Sequence, residues 1–170
     1  MLNDSFIPKL LLDNLEKLAK MIHHEYNIKQ LETHPEREIA YPTWESLPDD
    51  LKHSNLRQAR EIANQLRLIE CVIVPKGSKY NRISSFTDDE IEYLAKRVHM
   101  IWVEEYVKRG WKYGEEKNVD EKLTPYLVPY EQLDEKIKQL DRDVVKNIIP
   151  LLDSIGLAVH RIENENDMII

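Results

Sequence analysis

The chain has 170 residues, 42% of them hydrophobic and 32% charged, and its formal net charge is -7. These totals are typical of a globular chain that forms one ordinary domain or two small ones sharing a core. The acidic balance argues against a nucleic-acid-binding surface, which normally carries a basic stripe. No stretch approaches the roughly 20 apolar residues that span a bilayer, and Asp13 interrupts the leucines near the N-terminus. We therefore expect a cytoplasmic chain that binds neither nucleic acid nor membrane.

The first half of the chain predicts helices followed by one short strand. A helix is expected over 8–26, because apolar residues recur there at helical spacing. Its apolar stripe is Leu11, Leu15, Leu18 and Ile22. A short helix is expected at 46–51, and Asn55 is the expected N-cap of a longer helix over 55–69. The β-branched run at 72–74 predicts a strand, with Cys71 beside it as a buried small hydrophobe.

The second half opens with the most clearly marked helix of the chain. The basic segment 76–82 is the expected boundary before it, and Thr87 with Glu90 forms a capping box at its start. Its stripe is Ile91, Leu94, Ala95, Val98, Ile101 and Trp102, followed by Glu105. Gly110 fits the left-handed position just past the helix, so Trp111 should leave the helix end at a fixed angle.

The C-terminal part predicts two helices and a second short strand. A short helix is expected at 133–138 and a longer one at 141–154, with Asp141 as its N-cap and a kink at Pro150. Gly156 should end the longer helix, and residues 157–159 should form the strand.

Similar residues recur at two fixed spacings, which indicates an internal duplication. His23 and His99 are 76 residues apart, and Leu47 and Leu133 are 86 apart. The larger second spacing implies an insertion in the second copy, and the insertion contains the turn around Trp111. Chance matching of amphipathic helices is the alternative explanation.

The duplication predicts a mainly α fold in which two copies of one helical unit form a pseudo-twofold tandem. The two short strands could pair between or beside the copies. The expected division is a first, degenerate copy at 1–75, a connecting segment at 76–84, a second copy at 85–162 and a frayed tail at 163–170. Both copies are expected to form one compact unit.

The turn Arg109-Gly110-Trp111-Lys112-Tyr113-Gly114 admits two interpretations. Its rings could anchor the edge of a small core, because aromatic side chains bury large areas. They could instead form a stacking platform for a planar ligand, with charged groups close by. The candidate ligand-binding residues are Trp111, Tyr113, Trp102, Arg142, Glu105, Arg109, Tyr130 and Trp44. We expect Trp102, Trp111, Tyr113 and Arg142 to converge on one edge.

Five stretches of the second half together resemble the RyR domain, the repeat found in tandem pairs in ryanodine receptor channels and also in bacteria and phages. They are residues 94–102, 109–114, 127–133, 141–142 and 151–156, and the resemblance covers 85–159. The first half is similar to a degenerate copy that keeps the helix with His23 but lacks the Gly-Trp-x-Tyr-Gly turn.

The resemblance implies a module without catalysis, cofactor or metal. In the channel the tandem unit is peripheral, and aromatic residues of such pairs are thought to hold nucleotide-like planar ligands between the repeats. We therefore expect a ligand-binding or regulatory module that takes a planar, anionic, nucleotide-like molecule. A protein-interaction module that binds a partner or a second copy is the alternative. No calcium loop of EF-hand type is present in the sequence, so calcium binding does not follow from the family.

Two side chains could carry chemistry instead. His99 is expected to be a hydrogen-bonded structural histidine, and a general base with Glu104 or Glu105 as partner is the alternative. Arg142 is expected to pair with Glu131 or Glu135, and otherwise to hold an anion at a helix start. Paired-cysteine or His-Glu-x-x-His spacing is absent from the sequence, which argues against a metal site.

Overall fold

Helices form most of the ordered chain, and the mainly α fold is confirmed. The computed structural model describes residues 9–164, so the expected helix start at residue 8 and residues 165–170 of the expected frayed tail lie outside the described residues. The helices are α1 (Lys9–Thr33), α2 (Asp49–Leu68), α3 (Asp88–Lys108), α4 (Glu135–Lys146) and α5 (Ile148–Ser154). The strands are β1 (Cys71–Pro75), β2 (Lys112–Tyr113), β3 (Leu123–Thr124) and β4 (Leu157–Arg161). None of the described helices is long and apolar enough to cross a membrane.

The chain divides into two compact units, which we call unit one and unit two. Unit one takes the residues up to Ser84 and those from Ile149 onward, and unit two is Ser85–Ile148. The division differs from that of the two predicted copies, because β4 from the second copy pairs with β1 from the first. The pseudo-twofold relation of the copies stays a prediction.

Unit one combines α1, α2 and an antiparallel pair of strands. β1 and β4 pair with Ile73 opposite Val159, so the predicted pairing of the two short strands is confirmed. α1 packs against α2, and both contact β1. Its buried apolar side chains include Leu11, Leu18, Ala59, Leu66, Cys71, Val74, Leu152 and Val159, each at most 1% exposed. Cys71 is thus part of the core, as expected.

Unit two packs α3 against α4. A 3₁₀ turn at Tyr130–Gln132 also contacts α3, and β2 pairs with β3 in parallel. Its core is formed by Phe86, Ile91, Leu94, Ala95, Tyr130, Leu133, Val145 and Ile148. The stripe predicted for α3 is therefore buried over its first half.

Two helix starts were predicted several residues too late. α2 begins at Asp49 and α4 at Glu135, so Asn55 and Asp141 lie inside helices and are not N-caps. The Asn55 side-chain amide donates to the carbonyl of Leu51 at 2.9 Å, a bond that a helix interior allows. Both residues have N-cap chemistry, but the helix continues through them because packing outweighs this local preference.

The predicted kink at Pro150 is also wrong, because the break in the helix lies before this proline. The helix stops at Asn147, and α5 restarts at Ile148. Pro150 therefore falls in the first turn of α5, where backbone N–H groups have no partner inside the helix. A proline there removes no helical hydrogen bond.

The same backbone hydrogen bond occurs in both halves of the chain, at positions that are 86 residues apart as predicted. The N–H of Leu47 donates to the carbonyl of Trp44 at 3.2 Å, and the N–H of Leu133 donates to that of Tyr130 at 3.0 Å. Both leucines are buried immediately before a long helix. These equivalent turns support the alignment of the two copies, whose common origin stays a prediction.

A left-handed residue links helix to strand in both halves, again 86 residues apart. Glu70 has φ 56° and Gly156 has φ 81°. An added Cβ at Gly156 would meet nothing within 4 Å, so only its backbone conformation opposes a side chain there. The glutamate therefore carries a strain that the glycine avoids.

Exchanging side chains at these positions should change stability in opposite directions. Gly156→Ala should lower the free energy of unfolding by about 1 kcal/mol, and Glu70→Gly should raise it by up to about 1 kcal/mol. Glu70→Ala is the matched control, because alanine keeps the strain and should give no gain. Urea denaturation checks the three variants, and an unchanged midpoint for Gly156→Ala would contradict the strain argument.

Candidate functional site

The helix α3, which contains Trp102 and Glu105 and ends just before Arg109, has a fixed start. The N–H of Glu90 donates to the hydroxyl oxygen of Thr87 at 3.2 Å, and the N–H of Thr87 donates to the carboxylate of Glu90 at 2.9 Å. The predicted capping box is confirmed. It satisfies donors that the first helical turn leaves without partners.

The end of α3 is fixed by a glycine in the left-handed conformation. Gly110 has φ 87°, as predicted. Its N–H donates to Val107 and the N–H of Trp111 donates to Tyr106, each at 3.0 Å, which is the hydrogen-bond pattern of a Schellman motif. The motif turns the chain so that the ring of Trp111 lies against that of Tyr106, with centroids 5.2 Å apart.

Four rings form a continuous line on α3 and its C-terminal turn, which we call the aromatic row: His99, Trp102, Tyr106 and Trp111. The centroids of His99 and Trp102 are 5.7 Å apart, and those of Trp102 and Tyr106 are 4.1 Å apart in a stacked arrangement. Tyr106 was missed in the sequence, although its position four residues after Trp102 is the spacing that brings helical side chains together. The row makes Trp102 part of a packed set of rings rather than an isolated one.

The rings differ in their exposure to solvent. Trp102, Tyr106 and Trp111 are half-buried, whereas Tyr113 in β2 is 57% exposed. Tyr130, beyond the His99 end of the row, is buried, with its ring centroid 6.3 Å from that of His99. Tyr113, two residues after Trp111 in the sequence, is thus more exposed than the rings of the row.

The segment that follows Trp111, which belongs to the predicted insertion, contacts the C-terminal end of α3. The N–H of Lys112 donates to the carbonyl of Lys122 at 2.9 Å, within the pairing of β2 with β3. The ammonium of Lys122 donates to the carbonyl of Arg109 at 2.8 Å, at the negative end of the helix dipole. The Arg109 side chain is exposed next to this contact.

An open groove of about 440 Å³ lies beside the middle of α3. Its walls come from α3 and from residues 127–131, and they include His99, Met100 and Tyr130. Trp102, Trp111 and Tyr113 do not line it. Of the predicted ligand-binding residues, only Tyr130 faces this groove.

The side chain of Arg142 forms hydrogen bonds with two carboxylates. Its guanidinium donates to Glu92 at 2.7 and 3.3 Å and to Glu135 at 2.9 Å. These contacts hold the pKa of both glutamates below the usual range and raise that of the arginine. The expected pair with Glu135 is confirmed, whereas Glu131 pairs with Lys96 at 3.1 Å. Glu92 was missed because it lies on another element.

The structure does not bring Arg142 to Trp111. Arg142 lies inside α4, so it has no free helix-start N–H groups beside it. Its partner Glu92 is near the start of α3, whereas the aromatic row ends on Tyr106 and Trp111, about 20 Å further along the helix axis. The expected convergence of this arginine with Trp102 and Trp111 on one edge is therefore wrong.

His99 is buried and hydrogen bonded, as the structural interpretation requires. Its Nε2 lies 2.7 Å from the carbonyl oxygen of Val128. A carbonyl can only accept, so this nitrogen carries the proton. Nδ1 lies 3.7 Å from a carboxylate oxygen of Asp141, so the neighbouring carboxylate is Asp141 and not the expected Glu104 or Glu105.

Asp141 lies inside α4 and has a buried carboxylate oxygen. The oxygen that faces His99 has no hydrogen-bond partner within residues 9–164. Burial raises the pKa of Asp141 to about 6, although the charge of His99 acts in the opposite direction. No local pattern predicts this pair, because the packing of α3 on α4 brings the two residues together.

Two further candidates have other surroundings. Trp44 is half-buried in a turn of unit one, and any joint role with residues of unit two stays a prediction. Glu105 is half-buried on α3. Among the residues that the structure describes, no group of three or more His, Cys, Asp or Glu side chains could hold a metal ion.

One family of known proteins matches this chain. The family model described as RyR domain matches residues 80–161. The matched span contains all of unit two, with the capped helix, the aromatic row and α4, and it continues through β4. It contains every predicted site residue except Trp44.

The raised pKa of Asp141 predicts a pH dependence of stability. Its ordinary value is 3.8, so between about pH 4 and pH 6 the folded protein keeps a proton that the unfolded chain has lost. The free energy of unfolding of the wild type, relative to Asp141→Asn, should fall as the pH rises through this window. We expect a change of about 1–2 kcal/mol, because partial access of solvent weakens the effect.

Urea denaturation of both proteins from pH 4 to pH 7 measures this difference. Asp143→Asn is the control, since Asp143 is exposed on the same helix and the variant should follow the wild type. A constant difference between the wild type and Asp141→Asn would contradict the burial argument.

Proposed function

We propose that the chain is a non-enzymatic ligand-binding module, and the premise of this proposal is that residues 80–161 match the RyR domain. The family match supports a regulatory or interaction role in general. The finer proposal is that unit two binds a planar, anionic, nucleotide-like small molecule at the Trp111 end of the aromatic row. Tyr113, two residues after Trp111 in the sequence, is exposed and is proposed as a second ring of this site.

The observation that carries the proposal is the continuous row of rings that ends on Trp111. Stacking on an aromatic ring contributes about 1–3 kcal/mol per base, and it is strongest when the ring does not have to be ordered on binding. The Schellman motif and the contact with Tyr106 hold Trp111 in place before any ligand arrives. A half-buried indole fixed in this way suits a flat ligand.

The charge partner of the ligand is assigned to Arg109 rather than Arg142. Arg142 already makes three hydrogen bonds to carboxylates, which a ligand would have to displace. Arg109 is exposed at the helix end that also positions Trp111, and Lys112 is exposed on its other side. A guanidinium at this place could bind a phosphate or carboxylate in bidentate fashion.

The surroundings of His99 support a module without catalysis. Its protonated nitrogen is held by a backbone carbonyl, and its other nitrogen faces Asp141. The ring is 5% exposed. A general base needs a nitrogen within reach of a substrate proton, and here both nitrogens face the protein.

Calorimetry with adenine mononucleotides and dinucleotides tests the proposal. Trp111→Ala should weaken binding about tenfold or more, because the stacked ring is lost, whereas Trp111→Phe should keep most of the affinity. Tyr113→Ala should also weaken binding. Tyr93→Ala is its matched control, since Tyr93 is 53% exposed, much like Tyr113, but lies near the start of α3 and far from Trp111.

Two results would contradict this proposal. One is the absence of heat with every nucleotide at millimolar concentration. The other is equal affinity of the wild type and Trp111→Ala. Arg109→Gln separates the contribution of charge, and it should weaken binding more at low salt than at high salt.

A second candidate function is a protein interaction through the exposed side of α3. Tyr93, Met100 and Val107 are each about half exposed and follow one another at seven-residue intervals, so they lie on one face of the helix. Apolar residues at this spacing are typical of helices that pack against another helix. This face supports association with a second copy or another helical partner.

Light scattering after size-exclusion chromatography tests self-association. If the face forms a dimer, the apparent mass should rise toward twice the mass of the chain with concentration, and Met100→Glu should return it to that of a monomer. Lys108→Glu, an exposed change of charge on the same helix, is the control. A monomer at every concentration would remove the homodimer from consideration.

A further inference from the structure

The basic segment at residues 76–82 has no role in the function proposed above. It contains Lys76, Lys79 and Arg82 and no acidic residue, in a chain whose net charge is -7. It belongs to unit one, whereas the aromatic row belongs to unit two. Any function of this segment is therefore independent of the proposed ligand site.

The segment crosses over one end of β4. Pro75, at the end of β1, pairs with Leu157 on one edge of β4, and Arg82 bridges to His160 on the other edge. The N–H of Ile83 also donates to the carbonyl of Val159 at 2.8 Å. The connection between these two pairings must pass over the strand, and it forms the wall of a groove of about 700 Å³.

Hydrogen bonds hold the wall of this groove. The N–H of Lys76 donates to the carbonyl of Gly156 at 2.9 Å, and that of Ser78 donates to Pro75 at 3.1 Å. The Nδ1 of His160 lies 2.6 Å from the carbonyl oxygen of Asn81, so this nitrogen is the donor. The segment is thus tied to both strands, and a ligand would meet a preformed surface.

The polar groups of the groove suit an anion. Arg82 lines it, and the exposed Lys79 places its ammonium 5.3 Å from the ring of Tyr80, which also lines it. Lys76 lines it too, but it is paired with Asp153 at 2.9 Å. The Ser78 hydroxyl is a buried group of the wall without a hydrogen-bond partner in the described part of the chain. A buried hydroxyl without a partner is uncommon in folded proteins.

We propose that this groove binds the phosphate group of a small anion, with Arg82 and Lys79 as its charge partners and Tyr80 as an aromatic wall. An arginine fork matches the oxygens of a phosphate, and a lysine adds a point charge. Two cations in the groove, Lys76 and Arg82, and a third beside it, Lys79, are too few for a strand of nucleic acid, which is bound by long basic surfaces. The ligand is therefore a small phosphate ester or polyphosphate.

Titration of the ¹⁵N-labelled full chain with pyrophosphate at low salt tests the site. The amide resonances of Gly77, Ser78 and Asn81 should shift in a saturable manner, and the affinity should fall as sodium chloride is added. Arg82→Gln should weaken binding about tenfold, which corresponds to the loss of one charge-assisted hydrogen bond. Lys79→Ala should weaken it less.

Matched variants locate the binding. Arg37→Gln, an exposed arginine elsewhere in unit one, should bind like the wild type. Unchanged resonances far from the groove in the Arg82→Gln spectrum would show that this variant is folded. A loss of pyrophosphate binding in Arg109→Gln would place the anion at the Trp111 end of the aromatic row and overturn the proposal.

Other anions separate the remaining explanations. Citrate should bind more weakly than pyrophosphate, and equal binding would mean a surface that attracts any polyanion. Inorganic phosphate should compete with pyrophosphate for the same resonances. The proposal is also overturned if Arg82→Gln binds pyrophosphate as tightly as the wild type, or if only polyuridylate shifts these resonances.

Discussion

The antiparallel pairing of β1 with β4 is the contact on which the division of this chain depends. The two strands begin 86 residues apart in the sequence, yet they form one sheet with Ile73 opposite Val159. Their pairing places the last strand of the chain in the same unit as α1 and α2. It leaves Ser85–Ile148 as a second unit, built on α3 and α4. The pairing also creates the crossing of 76–82 over β4, and hence the basic groove.

Local signals in the sequence were sufficient wherever a structure depends on neighbouring residues. Both ends of α3 were predicted because Thr87 with Glu90 at the start, and Gly110 at the end, act through hydrogen bonds within a few residues. The helix starts at Asp49 and Glu135 were missed for the opposite reason. Asn55 and Asp141 have the chemistry of N-caps, but tertiary packing continued the helix through them.

The contacts around the candidate residues were less accessible to sequence reasoning. The stripe on α3 predicted which side chains face the core, but not that Trp102 would stack on Tyr106. The pairs of His99 with Asp141 and of Glu92 with Arg142 join residues 42 and 50 positions apart. No local pattern distinguishes these partners from the other carboxylates nearby. Sequence reasoning therefore singled out Trp102 and Trp111 but missed Tyr106 between them, and it placed Arg142 at the wrong end of α3. The ligand site itself stays a prediction.

The discontinuous composition of unit one has a consequence for synthesis of the chain on the ribosome. Unit two is a single continuous segment, so all of its residues have been synthesised before β4 is made. Unit one has to wait for β4, the last strand, to complete its sheet, and until then the edge of β1 has unpaired backbone groups. Strands that pair over long sequence distances are slow to meet. The nascent chain therefore contains all of its second unit before β4 completes the sheet of its first unit.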